Sequence, residues 1–173
     1  ITKEELVQKV ANWQRVLLEA RASKSRPRLD DKILTSWNAL MLKGYIDAYR
    51  VFDEEPFLEK AIKNANFLLG KQFNVEGGLY RNYKNGKSSI NAYLEDYATI
   101  IDAFINLYEV TFDEKWLINA KQLTDYCFDH FFDDKSNMFF FTSKNDKGLI
   151  ARKIETDDNV IPSSNSIMAR NLF

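Results

Sequence analysis

The chain has 173 residues, of which 45% are hydrophobic and 14% are aromatic, enough to build the core of one domain or of part of a larger one. Its 24 Lys and Arg against 25 Asp and Glu give a net charge of −1, which offers no electrostatic basis for binding nucleic acid or an anionic membrane. The sequence has no run of about 18 apolar residues. The single cysteine, Cys127, excludes an internal disulfide, so we expect a cytoplasmic protein.

Six helices are predicted in chain order. Thr2 and Glu5 have the spacing of a capping box at the start of the first helix, and Asp31 is the expected N-cap of the second. Pro56 suits the first turn of the third helix, and Pro162 precedes the sixth. The predicted ranges are 3–22, 33–51, 56–73, 93–110, 114–131 and a last helix from about residue 163 that runs to the end of the sequence. Because the chain starts without Met and ends within a predicted helix, we expect an internal segment of a longer protein, truncated at both ends.

A long repeat defines the architecture. Residues 40–80 resemble residues 99–139, so that Tyr49 aligns with Tyr108 and Ala61 with Ala120. Each unit is a helical hairpin followed by a long loop. Such a unit cannot bury its apolar face alone, and successive copies must stack.

The helices are of two kinds. Helices two and four are apolar around most of their circumference, whereas helices one, three and five carry one apolar stripe and a charged back. This alternation predicts an all-α fold of concentric layers, an α/α toroid fragment of about three hairpins, in which the even helices lie inside. The long connections then share one face with the N-termini of helices two, four and six. Small β-hairpins are expected on that face, one at Asn85-Gly86 and one between segments 138–142 and 149–153.

Polar clusters at these helix starts are the candidate site, because loops on a rigid scaffold carry function. Aromatic rings stack on the C–H faces of sugars, and carboxylates, amides and guanidinium groups bind hydroxyls. The candidate acid–base residues are Asp31, Asp96 and Asp158, since two opposed carboxyls with different pKa values can cleave a glycosidic bond. The candidate substrate-binding residues are Arg28, Asp30, Trp37, Asn38, Tyr80, Glu95, Tyr97, Ser163 and Asn165.

Each cluster also has a structural interpretation. Asp31 and a serine near 163 are suitable helix caps, and Glu95 with Asp96 in a first turn interacts favourably with the helix dipole. Trp37 fits equally well in a core. These interpretations and the functional ones stay open at this point.

Other chemistries have less support. His130 is the only histidine and lies near the end of an outer helix, where a structural role is expected, so no Ser–His–Asp or Cys–His arrangement exists within the chain. Cys127 falls on the apolar side of helix five and is expected to be an inert core residue. Asp157 and Asp158 lack the spacing of a calcium loop. We therefore expect no metal and no cofactor.

Three motifs together resemble one family. They are RPRLDDKILTSWNALML, YLEDYATIIDAFINLYEVTFDEKWL and DDNVIPSSNSIMARNL. They are similar to the helical part of the thioredoxin-domain-containing proteins of the spermatogenesis-associated protein 20 type. The resemblance implies a thioredoxin-like domain followed by an (α/α)6 toroid similar to those of six-hairpin glycosidases and N-acylglucosamine 2-epimerase. The epimerase chemistry relies on histidines, and this chain has none at the matching helix starts.

Two functions are consistent with these features. The first is a toroid that binds or processes a carbohydrate or another small polar ligand, as a glycoside hydrolase-like or sugar isomerase-like protein. The second is a non-catalytic scaffold that recruits a protein partner for a thioredoxin-like domain. In both, the rest of the toroid and the thioredoxin-like domain are the expected partners within the longer chain. Without them, exposed inner helices are expected to make the segment self-associate.

Overall fold

The computed structural model describes residues 1–27, 29–146 and 151–173, and the chain separates into two compact units, residues 1–31 and 32–173. The first unit contains one helix, α1 (Lys3–Ala22). Its N-terminus has the predicted capping box, in which the Thr2 side chain accepts from Glu5 N and the Glu5 side chain accepts from Thr2 N. This capping box satisfies N–H groups that have no partner inside the helix.

The second unit contains five helices and two small sheets among its described residues. The helices are α2 (Thr35–Phe52), α3 (Glu55–Gln72), α4 (Leu94–Thr111), α5 (Glu114–His130) and α6 (Ser164–Leu172). The strands are β1 (Ile33–Leu34), β2 (Tyr80–Lys84), β3 (Lys87–Asn91), β4 (Phe132–Asp133) and β5 (Met138–Phe139). The predicted helices are thus confirmed with small shifts of their ends. The predicted Asp31 cap is wrong, because a short strand intervenes and Leu34 occupies the N-cap of α2 without a side-chain bond.

The helices of the second unit form two layers. α2 packs against α3 and α4, and α4 packs against α5 and α6. The row α2–α4–α6 is therefore the inner layer, with α3 and α5 behind it. The predicted burial on several sides is confirmed for α4, but α2 buries only one face, and Trp37, Leu40 and Met41 on its other face are exposed. These three residues lie where the described second unit offers α2 no further helix.

α2 and α4 are repeat equivalents in space as well as in sequence. Lys43 pairs with Asp102 and Arg50 pairs with Glu109, and both pairs are 59 residues apart. Two contacts with one offset mean that the helices run parallel and in register. Both helices end in a left-handed residue, Asp53 and Phe112, each with φ of 54°.

Short hairpins decorate the N-terminal ends of the inner helices. β2 and β3 are joined by Asn85 and Gly86 with φ of 51° and 79°, the geometry that a two-residue turn requires, and β1 adds a third strand beside β2. β4 pairs with β5. The predicted pairing of segments 138–142 and 149–153 is seen only as a bridge from Phe140 to Ile154 and a bond from Phe141 N to Lys153 O of 2.7 Å, because residues 147–150 lie outside the described chain.

The core of the second unit lies between the two layers. Its largest fully buried side chains include Tyr97 and Phe104 of α4, Trp116 of α5, and Phe131, which is the C-cap of α5. Cys127 is buried there as predicted, and burial raises its thiol pKa well above the usual value. Within the described residues, no helix has both the length and the apolar character needed to cross a membrane.

Candidate functional site at the starts of the inner helices

The starts of α2, α4 and α6 are tied together at one end of the second unit. Ser36 N in α2 donates to Asp96 Oδ1 in α4 at 3.0 Å. Leu94 N donates to Phe141 O, while Asn165 in α6 bonds both backbone groups of Phe139, so the segment 139–141 links α4 to α6. We call the surface formed by these three helix starts and their hairpins the helix-start face.

Asp96 lies where the starts of α2 and α4 meet strand β2. It is fully buried, and its carboxylate accepts hydrogen bonds from Ser36 N, Tyr93 N and Arg81 Nη1, each at 3.0 Å. The bond from Tyr93 N belongs to the N-cap of α4, the bond from Ser36 N holds the first turn of α2, and Arg81 brings in strand β2. One carboxylate therefore fixes two inner helices and the first hairpin relative to one another.

The surroundings of Asp96 perturb its acidity. Burial raises the pKa of Asp96 to about 6, against the lowering effect of the Arg81 guanidinium and of the N–H groups of Tyr93 and Ser36. Such a value suits an acid–base residue. The side chain, however, has no exposed surface, so in this structure it cannot contact a ligand directly.

Arg81 and Glu95 are the partly exposed members of the same group. The Arg81 guanidinium lies 4.7 Å from the ring centre of Tyr93, 3.0 Å from Asp96 and 3.6 Å from Glu95. The Arg81 and Glu95 side chains are 22% and 26% exposed. We call Ser36, Arg81, Tyr93, Glu95 and Asp96 the Asp96 cluster. Its buried carboxylate and the Tyr93 ring orient Arg81, so a hydrogen-bond donor and an acceptor reach the surface side by side.

Trp37 supplies an aromatic surface beside the start of α2. It is 63% exposed and lines an open groove of about 510 Å³ with Leu40, Met41, Gly44 and Ile161. Ile161 belongs to the segment before α6, which therefore passes beside the start of α2. An exposed indole is a suitable platform for an apolar ring face.

The residues at the start of α6 are mostly engaged in its own architecture. Ser163 is the N-cap, and its hydroxyl accepts from Ser166 N at 3.2 Å. The Asn165 side-chain oxygen accepts from Phe139 N, and its NH2 group donates to Phe139 O and Glu155 O. Asp158 is exposed and accepts from Ser163 N at 2.8 Å, and that bond is the main cause of its lowered pKa. Asp158 is thus an ionised carboxylate that is accessible on the helix-start face.

Three other predicted residues, Tyr97, Asn38 and Tyr80, make hydrogen bonds within the fold. Tyr97 is fully buried, its hydroxyl accepts from Leu79 N at 2.8 Å, and its ring stacks on Tyr126. The Asn38 side chain donates to Leu34 O, and the Tyr80 carbonyl accepts from Thr35 Oγ1. These bonds hold the Tyr97 and Asn38 side chains within the fold, whereas the Tyr80 bond is made by its backbone carbonyl.

The remaining predicted residues lie near the boundary of the two units. Asp30 and Asp31 are exposed and belong to the first unit. Arg28 lies outside the described residues. Among the described residues, no group of three or more His, Cys, Asp and Glu side chains could hold a metal ion.

A charged network on the inner layer was missed by sequence reasoning. Asp102 Oδ2 lies 2.9 Å from Lys43 Nζ and 2.6 Å from Arg170 Nη2, so one acidic residue of α4 joins α2 and α6. Two turns further along α2, Arg50 contacts Asn106 and Glu109. The repeat carried a signal for it, because Lys43 aligns with Asp102 and Arg50 with Glu109, opposite charges at equivalent positions.

A buried polar group beside the Asp96 cluster was also missed. The Gln72 amide donates to Thr35 Oγ1 at 2.7 Å, and Thr35 donates to Tyr80 O at 2.6 Å. Within the described chain, Ser36 Oγ and Gln72 Oε1 are buried without a hydrogen-bond partner. Buried polar atoms are normally paired, and an ordered water is the usual partner of such an atom.

The two-layer arrangement is that of part of an α/α toroid, as predicted, and comparisons with solved structures show the same fold class. The chain superimposes on a sugar epimerase from a ruminal bacterium with a TM-score of 0.68, covering 84% of this chain and 39% of that one at 17% identity. It superimposes on D-mannose isomerase with a TM-score of 0.67, covering 82% and 34% at 15% identity. For cellobiose 2-epimerase from Bacillus thermoamylovorans the TM-score is 0.66, with coverage of 85% and 39% at 19% identity. At these identities the likeness shows the fold alone.

In sequence, the chain is similar to spermatogenesis-associated protein 20. The human protein is 31% identical over 91% of this chain, which spans 21% of that protein's length. An uncharacterised protein of Caenorhabditis elegans is 31% identical over the whole chain, which spans 24% of its length. No protein-family model matches the chain. The chain therefore spans about a quarter or less of the curated relatives it matches.

Proposed function

We propose that the second unit is part of a carbohydrate-binding toroid, and that the sugar contacts the helix-start face. The observation that carries the proposal is the Asp96 cluster, in which a buried carboxylate orients a partly exposed Arg81–Glu95 pair, while the exposed Trp37 follows Ser36 of that cluster in the first turn of α2. Its fold likeness to sugar epimerases and an isomerase supports the same ligand class by analogy.

We propose distinct roles for neighbouring residues. Glu95 and Arg81 bind hydroxyl groups, since both are partly exposed and one accepts while the other donates. Trp37 stacks on the ring. Asp96 is a positioning residue, because its three hydrogen bonds hold Arg81 and the two helix starts and leave it no exposed surface.

Turnover would need a further pair of acid and base. Asp158 is accessible and its lowered pKa keeps it ionised at neutral pH, which fits a base or a nucleophile and not a general acid. Asp31 stays a candidate from the sequence. We therefore propose sugar binding as the primary activity, with hydrolysis or isomerisation dependent on residues of the longer protein.

The test is calorimetric titration of the full-length protein with a panel of mono- and oligosaccharides. Trp37→Ala and Glu95→Gln are expected to weaken binding at least about tenfold, in line with the loss of a stacking ring or of a charged hydrogen bond. Phe52→Ala is the matched control for Trp37, because Phe52 lies at the other end of α2 and is also 63% exposed. Loss of binding in the control alone, or in no variant, would place the sugar elsewhere.

A non-catalytic scaffold for a protein partner is the second candidate. The specific observation in its favour is that most polar groups of the helix-start face are engaged in caps and backbone bonds, as for Ser163 and Asn165, beside an apolar groove around Trp37. Affinity capture from cell extract with wild type and Trp37→Ala as paired baits separates the two. A partner lost with Trp37→Ala, together with no sugar binding by a folded protein, would favour the scaffold.

The setting in the longer protein is also proposed. By the resemblance to the spermatogenesis-associated protein 20 type, a thioredoxin-like domain and the rest of the toroid are the partners within the same chain. A cytoplasmic location is consistent with a single, buried cysteine in these 173 residues.

A further inference from the structure

The inference concerns the charge of the ligand, and it rests on the proposed function. We infer that the helix-start face selects a neutral or cationic sugar, such as a hexose or an amino sugar, and discriminates against uronic acids and sugar phosphates. The basis is the pairing of the charged groups at the site.

The one cation in the Asp96 cluster is already neutralised. Arg81 lies 3.0 Å from Asp96 and 3.6 Å from Glu95, so a single guanidinium faces two carboxylates. An anionic ligand that approached Arg81 would also approach Glu95, which is exposed at the same place. Like charges held this close cost free energy unless one of them is protonated.

The segment before α6 adds to the negative charge. Residues 151–163 carry Glu155, Asp157 and Asp158 against Arg152 and Lys153. The Arg152 guanidinium donates to Thr142 O and His130 O and lies over the Phe140 ring, so it is used within the fold. Two of these acidic side chains lie at the start of α6, because Asp158 accepts from Ser163 N and Glu155 accepts from Ser164 Oγ, so they add negative charge to the helix-start face.

The described residues that line the apolar groove carry no charge that could compensate. The groove around Trp37 is lined by Leu40, Met41, Gly44 and Ile161. The Ser36 hydroxyl, buried without a partner among the described residues, is a further neutral group beside Asp96. An ammonium or a hydroxyl of the ligand can therefore pair with Glu95, whereas a carboxylate or phosphate finds no unneutralised cation in the Asp96 cluster.

The experiment compares sugars of one ring structure and three charges. Glucose, glucosamine and glucuronate, and the corresponding mannose series, are titrated into the full-length protein by calorimetry at low and at high salt. We expect the amino sugar to bind at least about tenfold more tightly than the uronate at low salt, and the ratio to shrink at high salt because exposed charges are screened. Glu95→Gln should reduce the ratio several-fold. The control Glu109→Gln, at the other end of α4 in the Arg50 pair, should leave it unchanged.

The outcomes separate the two levels of the proposal. A uronate that binds as tightly as the amino sugar, or a ratio insensitive to salt and to Glu95→Gln, would overturn the charge selectivity while leaving sugar binding in place. Failure of every sugar to bind a folded protein would overturn the proposed function and the inference with it.

Discussion

Replacement of Asp96 by Asn tests the central role of this carboxylate. The carboxylate accepts from Ser36 N on one oxygen and from Tyr93 N and Arg81 Nη1 on the other. Asn offers one oxygen, so in either orientation its NH2 group faces a buried donor. Unsatisfied buried donors cost about 1–3 kcal/mol each, and the relief of burying one charge fewer offsets part of this. At pH 4.5, where the raised pKa keeps Asp96 largely protonated in the folded chain and little charge is buried, we expect Asp96→Asn to lower the free energy of unfolding by about 1–3 kcal/mol.

The assay is urea unfolding of the 173-residue chain followed by circular dichroism. At about 2–4 °C per kcal/mol for a chain of this size, a loss of 2 kcal/mol corresponds to a fall of roughly 4–8 °C in Tm. Asp125→Asn on α5 is the matched control, because that carboxylate is 59% exposed and pairs with Lys121 of the same helix. The control should change stability by no more than about 0.5 kcal/mol. An Asp96→Asn variant no less stable than the control would refute the role assigned to Asp96.

The same variant predicts a change in pH dependence. The pKa of Asp96 in the folded chain is about 6, above the ordinary 3.8, so between these values the folded state binds more protons than the unfolded state. The stabilisation contributed by Asp96 is therefore largest at low pH. It falls as the pH rises from about 4 to about 6, by about 3 kcal/mol in all, since the two pKa values differ by about two pH units. Wild type and Asp96→Asn should differ more at pH 4.5 than at pH 7. A difference that is constant over this range would contradict the raised pKa.

Further predictions address the inner layer, a glycine contact and association. Lys43→Glu and Asp102→Lys should each destabilise the chain by about 1–2 kcal/mol, and the double variant should recover part of the loss in a double-mutant cycle, because both reversals restore opposite charges between α2 and α4. Gly78→Ala should destabilise the chain by about 1–3 kcal/mol, because the new methyl group would lie 2.7 Å from the Tyr126 ring. Gly70→Ala in α3 is the matched control. Its methyl group meets no atom within 4 Å, so this variant should be more stable by roughly 0.5–1 kcal/mol. Sedimentation of the chain should show self-association that Trp37→Ser weakens, since Trp37, Leu40 and Met41 expose an apolar face; a monomer at all concentrations would contradict it.

Local signals were sufficient to predict most of the secondary structure from sequence. Capping side chains at Thr2 and Ser163 and the Asn85-Gly86 turn act within a few residues, so their effect does not depend on the fold around them. The repeat was equally informative, because stacking of equivalent hairpins predicts the layers. Asp31 failed as a cap because β1 pairs with β2, a contact between residues about 50 apart in the sequence.

The local sequence could not predict which residues of the candidate site are buried and which are accessible. Glu95 and Asp96 are adjacent acidic residues in one first turn, yet the helical rotation directs Asp96 into α2 and leaves Glu95 26% exposed. Tyr97 was an equally plausible ligand contact from the sequence, but in the structure its ring is buried against Tyr126 of α5.

The sequence by itself determined the helices, the hairpin turns, the repeat and the end of the molecule where polar residues collect, since these follow from patterns within one hairpin. Only the tertiary structure decided which of those residues are buried and which are exposed. Trp37 and Tyr97 show the difference, because burial depends on neighbouring helices that are distant in sequence. The Asp96 bonds to Ser36 and Arg81, and the Asp102 pairs with Lys43 and Arg170, form for the same reason: a buried or interhelical charge is stabilised by partners that only packing brings within hydrogen-bond distance.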